Sequence, residues 1–198
     1  MISKQEIKKY LCQLKPYILF AGIIFTAAIL VGYFAAQAFP GEIERILEEI
    51  KKELGPLENA SGFELFLIIF EQNVFALFLS ITLGIFLGII PCFSAFTNGL
   101  LLGIIAFEIL NRYSWEILSA GILPHGVIEI PVLIVSLAIG LRLGKIAFWR
   151  VFKKRGSVKR ELKKALKFFF YVLLPLLFAA ALIESFITPA LLSLFVDR

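Results

Sequence analysis

"FALFLSITLGIFLGIIPCFSAFTNGLLLGIIAF", residues 75–107, carries no charged side chain. A helix needs about 20 apolar residues to cross a bilayer. The run therefore reads as parts of two crossings, about Glu64–Ile90 and Phe93–Leu110, separated by Pro91. So tight a connection makes the two antiparallel neighbours.

The rest of the chain follows the same logic. It has 198 residues, 60% of them hydrophobic, and a mean hydropathy of +0.91. A soluble domain of this length cannot hide that much apolar surface beneath polar groups. Three more runs reach crossing length: Pro16–Phe39, a fourth within Trp115–Lys145 and a fifth at about Leu166–Leu192. The first is too long for a signal-peptide core and reads as a retained span. The expected fold is an all-α membrane protein, one membrane domain over 1–198, with five transmembrane helices.

Charge sets the expected direction. Lys4, Lys8, Lys9 and Lys15 precede the first span, and residues 142–167 form a basic loop running from Arg142 to Lys167. Residues 40–63 carry six glutamates against Arg45, Lys51 and Lys52. Lys and Arg remain cytoplasmic, so the N-terminus is expected inside and the C-terminus outside a cell membrane crossed several times. The basic loop reads as a topology signal and a lipid-headgroup contact. It lacks the interleaved aromatics or a known module of a nucleic-acid binder, so no nucleic-acid partner is expected.

Gly41–Gly55 has a different period. Ile43, Ile46, Leu47, Ile50 and Leu54 recur at spacings of three and four, with acidic and basic residues between them. That predicts a short amphipathic helix outside the membrane, closed by Gly55-Pro56 and capping the bundle. Cys12 and Cys92 have no metal-ligand spacing, and no disulfide is expected. Asn and Gln together number eight beside one Met, a composition that points weakly to a thermophile.

Topology gives each polar group a depth. Glu71, Asn73, Glu108, His125, Glu129 and Glu184 all fall in the outer halves of their spans. An isolated charge at a helix centre costs about 2.5–3.5 kcal/mol, so these groups are expected to face one another as a cluster. His125 and Glu129 are four apart and share a helix face. The 31 residues of Trp115–Lys145 exceed one upright crossing. A break at Gly121–Pro124 is therefore expected, with a re-entrant or interfacial segment before it and the fourth span over 124–146.

Two readings of the cluster stand side by side: helices tied by hydrogen bonds, or a cation, proton or small-solute site. His125 and Glu129 are also candidate metal ligands, although HxxxE alone is a weak signal and no cofactor is expected. There is no HExxH, no GxSxG and no paired intramembrane aspartate. An enzyme using His125 and Glu129 is the most distant option, and no catalytic residue is assigned.

Small residues recur every four positions: Ser80, Gly84 and Gly88; Gly99 and Gly103; Gly140 and Gly144. Such stripes let helix backbones approach in lipid. They predict a tightly packed centre of the second, third and fourth spans, with a homodimer as a second use of the same faces. Asn98 is expected to bond across helices.

The order Asn73, Ser80-xxx-Gly84-xxx-Gly88, Asn98-Gly99-xxx-Gly103, Leu123-Pro124-His125-Gly126-xx-Glu129-Ile130-Pro131 and Gly140-xxx-Gly144 resembles the stage II sporulation protein M family. The resemblance covers about residues 65–145 in motif and the whole chain in span layout. It implies an integral membrane scaffold that joins partner proteins without chemistry of its own. It marks Asn73, Asn98, His125 and Glu129 as signature positions and implies no catalytic residue. The function expected is a non-enzymatic component of a membrane complex, in contact with lipid and with other membrane or extracytoplasmic proteins; the alternative is a transporter or channel.

Overall fold

A computed structural model describes residues 2–54 and 60–196, and within them every regular element is helical. Five helical rods are long and apolar enough to cross a membrane: Lys4–Ala38, Gly62–Ile85, Ile89–Arg112, Trp115–Lys153 and Val158–Phe195. The chain is a multi-pass membrane protein in contact with the lipid bilayer.

The first helix, α1 (Lys4–Ala38), starts well before Pro16. Ser3 accepts from the Glu6 amide and Glu6 accepts from the Ser3 amide, a reciprocal cap that fixes the start. Its 35 residues make a rod of roughly 52 Å, longer than a hydrocarbon layer of about 30 Å. The Lys-bearing turns form its extra length. After Phe39, Pro40 opens α2 (Pro40–Leu54). Proline suits a first helical turn, where its missing N–H has no partner to lose.

Helix α2 packs through Ile43 and Leu47 against Ala36 of α1 and Ile104 and Phe107 of the fourth helix. Ile46, expected on the same face, is exposed. The side chain of Leu54 and the predicted stop at Gly55-Pro56 lie outside the described residues.

Ser61 and Glu64 repeat the reciprocal cap at the start of α3 (Gly62–Thr82). Glu64, read above as the opening of an apolar span, is a capping residue. The turn between the second and third rods is not at Pro91. The backbone tightens over Leu83–Ile85 and reverses at Leu87 and Gly88, with φ of 58° and 77°. Helix α4 (Ile89–Arg112) follows, and Pro91 sits within its first turn. Proline ends a helix only in its interior, whereas glycine takes the left-handed conformation without steric cost.

The fourth rod, α5 (Trp115–Lys153), is one unbroken helix of 39 residues, with Pro124 and Pro131 inside it. The helix runs through Gly121–Pro124 without the expected break. Each proline removes a single backbone bond, and burial of Leu118, Ala120, Gly126 and Val132 on both sides holds the helix together. Its excess length instead runs past the apolar layer to Lys153.

The fifth rod is built in pieces: α6 (Val158–Phe168), a π-helical turn Phe169–Leu173, α7 (Leu174–Leu182), a second π turn Ile183–Ile187, and α8 (Thr188–Val196). Pro175 and Pro189 each follow a π turn. Proline cannot donate to the preceding turn and its ring crowds the carbonyl four residues back. A wider turn removes that conflict.

Helix α5 lies at the centre and touches every other rod. The main core joins Tyr10 and Leu14 of α1, Leu77 and Ile81 of α3, Val132 and Ile139 of α5, and Phe168, Phe169, Leu173 and Leu177 of the fifth rod. The glycines set how close the backbones come. A Cβ at Gly84 would collide with the backbone of Gly140, one at Gly140 with Ser80, and one at Gly144 with Gly88. Gly99 and Gly103, expected to join that seam, instead face Phe25 and Ile29 of α1. Asn98 donates to the Ser94 carbonyl of its own helix at 2.8 Å rather than across helices. The link between rods at this level runs from Ser80 Oγ to Ser94 Oγ at 3.4 Å.

Candidate functional site

Three ionisable groups converge in the half of the bundle away from the basic termini of α1 and α5. His125 and Glu129 project from one face of α5, and Glu184 lies in the second π turn. One imidazole nitrogen and one oxygen from each carboxylate all lie within 4.8 Å of one another. Helix α3, which carries Asn73, packs against that π turn, so three rods meet around the group. Among the described residues no Lys or Arg forms an ion pair with Glu129 or Glu184.

The two remaining carboxylates expected here lie elsewhere. Glu71 is exposed. Glu108 accepts from Arg112 Nε at 2.8 Å, and Arg112 also reaches Glu44 of α2 at 3.6 Å. This i,i+4 pairing ties the end of α4 to α2 and draws Glu108 away from the centre.

Thr188 was not anticipated. It is buried and sits at the start of α8, where its hydroxyl donates to the Ile183 carbonyl at 3.3 Å. The same oxygen lies 3.4 Å from His125 Nδ1. A threonine hydroxyl has one proton. When that proton is on Ile183 the oxygen can accept from His125 Nδ1; when it is on His125 Nδ1 the imidazole proton is on Nε2. The approach depends on the π turn, which carries the Thr188 amide to Ile183, five residues back. Hydrophobic periodicity does not encode such a turn; Pro189 after a polar Glu184-Ser185 pair is the only local hint.

A second buried polar group was read only as topology charge. Arg142, on α5, meets Glu161 of α6 through Nε at 2.6 Å, and its two terminal nitrogens meet the Gln13 backbone carbonyl at 3.1 Å and side-chain oxygen at 2.9 Å. Its guanidinium also lies 5.8 Å from the Tyr10 ring centre. Glu161 is 5% exposed. This group is matched donor to acceptor and locks α1, α5 and α6 together. A lone Gln13 within a mostly apolar helix was the available signal.

Two carboxylates and an imidazole with a free nitrogen can accept a proton or hold a cation. The family model for stage II sporulation protein M matches residues 21–189. The chain belongs to the stage II sporulation protein M family. The matched span includes Asn73, His125, Glu129, Glu184 and Thr188 and begins after Gln13. Two uncharacterised proteins of Methanocaldococcus jannaschii are similar to this family member. One is 32% identical over 127 residues, which is 61% of this chain and 69% of that protein. The other is 27% identical over 198 residues, 93% of this chain and 86% of its own length. No solved structure matches.

Proposed function

We propose that this chain is a non-enzymatic component of a membrane complex, a scaffold that seats the membrane helix of a partner protein along α1. The N-terminus lies in the cytoplasm and the C-terminus outside, following the Lys and Arg asymmetry. The observation that carries this reading is a groove lined by Leu19, Gly22, Ile23, Thr26, Leu30 and, from α5, Ile134. A Cβ on Gly22 would meet nothing within 4 Å, whereas Gly84, Gly99, Gly103, Gly140 and Gly144 are pressed against other backbone. Helices associate in lipid where small residues allow close approach, and Gly22 and Thr26 offer such a surface outward. Membership of a family named for a sporulation membrane protein is compatible with a partner-binding role.

The test is a photo-crosslinking residue at position 23 or 30 in native membranes. The expected adduct contains a second protein and is lost in Gly22→Trp, with the unfolding midpoint unchanged. An adduct of twice the chain's mass identifies the occupant as a second copy, contrary to the reading. Lipid adducts alone remove the scaffold assignment. The group around Glu129 favours a second reading, a pathway for a cation or proton through the same bundle.

A further inference from the structure

We propose that His125, Glu129 and Glu184 bind one first-row divalent cation of the zinc or manganese class within the apolar bundle. The inference uses the residues of the second functional reading but concerns binding alone, so it stands or falls apart from any transport and apart from the scaffold.

Four observations converge on it. The three ligand atoms lie within 4.8 Å of one another. In a tetrahedral zinc site with bonds of about 2.0–2.2 Å, neighbouring ligand atoms stand roughly 3.3 Å apart. A cation would therefore draw these side chains in by about an ångström, within the range of small rotamer changes. The ligand set is mixed: imidazole with carboxylate suits zinc and manganese better than calcium or magnesium, which favour all-oxygen shells. Charge balance points the same way. Neither Glu129 nor Glu184 has an ion-pair partner among the described residues, so their oxygens are open to a divalent cation, which would balance both when they are ionised.

The fourth observation is independent of the carboxylates. Thr188 Oγ1 lies 3.3 Å from the Ile183 carbonyl and 3.4 Å from His125 Nδ1; with the hydroxyl proton on Ile183, this contact holds the ring in the tautomer whose lone pair is on Nε2. Metal-binding histidines are oriented in this way, by an outer partner that takes the proton of the other ring nitrogen. Three protein ligands leave a fourth position for water or a transported species.

The experiment uses the full-length, tag-free chain in detergent, with Cys12→Ser and Cys92→Ser to remove competing thiols. After chelator treatment, Zn2+ is titrated by calorimetry, and bound metal is counted by elemental analysis after desalting. One equivalent is expected, with a raised unfolding midpoint. Glu184→Gln, nearly isosteric, should weaken binding at least tenfold, and Thr188→Val by about ten- to a hundredfold, each measured on protein that retains a cooperative unfolding transition without metal. Glu108→Gln should change nothing. The site is refuted if the folded parent shows no saturable binding, or if Glu184→Gln binds as the parent does. Equal binding of Mg2+ or Ca2+ would overturn the assigned metal class.

Discussion

At one end of α5 the Arg142 guanidinium meets Glu161 at 2.6 Å and spends its other nitrogens on Gln13. Towards the other end, two carboxylates and an imidazole stand within 4.8 Å with no ion-pairing Lys or Arg among the described residues. Both groups are withdrawn from bulk water, and three rods meet around each. In the first, each nitrogen of the cation finds an acceptor, while the neighbouring Tyr10 hydroxyl is buried without a partner, and the group ties α1, α5 and α6 together. The second has acceptors in excess. A polar group kept for packing tends to be closed by its own partners, and on the proposal above the second group instead binds a cation. The family match over residues 21–189 spans Arg142 and Glu161 of the first group as well as the second group.

The largest test of the comparison is Arg142→Met. It leaves Glu161 buried and uncompensated, and should cost about 3–5 kcal/mol of unfolding free energy, measured by denaturant titration in mixed micelles. Adding Glu161→Leu should recover most of that loss. If the double variant is no better than the single, the guanidinium acts through Gln13 and Tyr10 rather than through charge. The opposite sign is expected at the other group. In metal-free protein at pH 8, Glu129→Gln removes one of two crowded carboxylates and should raise stability by about 1–3 kcal/mol. A fall of that size would make Glu129 a structural bond and erase the contrast. The smallest effect lies between the two groups. Ser136 Oγ donates to the Leu77 carbonyl at 3.2 Å, and Ser136→Ala should lower stability by about 0.6 kcal/mol. A loss above roughly 2 kcal/mol would show that α3 and α5 depend on that bond more than on their glycine seam.

Much of this architecture could be read from residues alone. Five crossings follow from apolar length, and the amphipathic period of α2 follows from Ile43 and Leu47. The errors came from prolines. Pro91 looked like the reversal, but the sharp backbone belongs to Leu87 and Gly88, because proline is at ease in a first turn. Pro124 looked like a break, yet a long helix held by buried residues before and after it tolerates the loss of one backbone bond. At the site, His125 and Glu129 were legible from their spacing, and Glu184 from depth. Glu108 was misplaced because depth says nothing about direction around a helix, and Arg112, one turn on, held it. Thr188 was invisible because its position depends on a π turn that sequence periodicity does not mark.

That π turn has one more consequence. A residue advances an α-helix by about 100°, so the extra residue held within Ile183–Ile187 turns everything downstream by about that angle. The last nine helical residues therefore show the bundle a flank that a straight wheel diagram would assign to lipid. A one-residue deletion within the segment would turn the side chains from Thr188 onward by about 100° in the other sense.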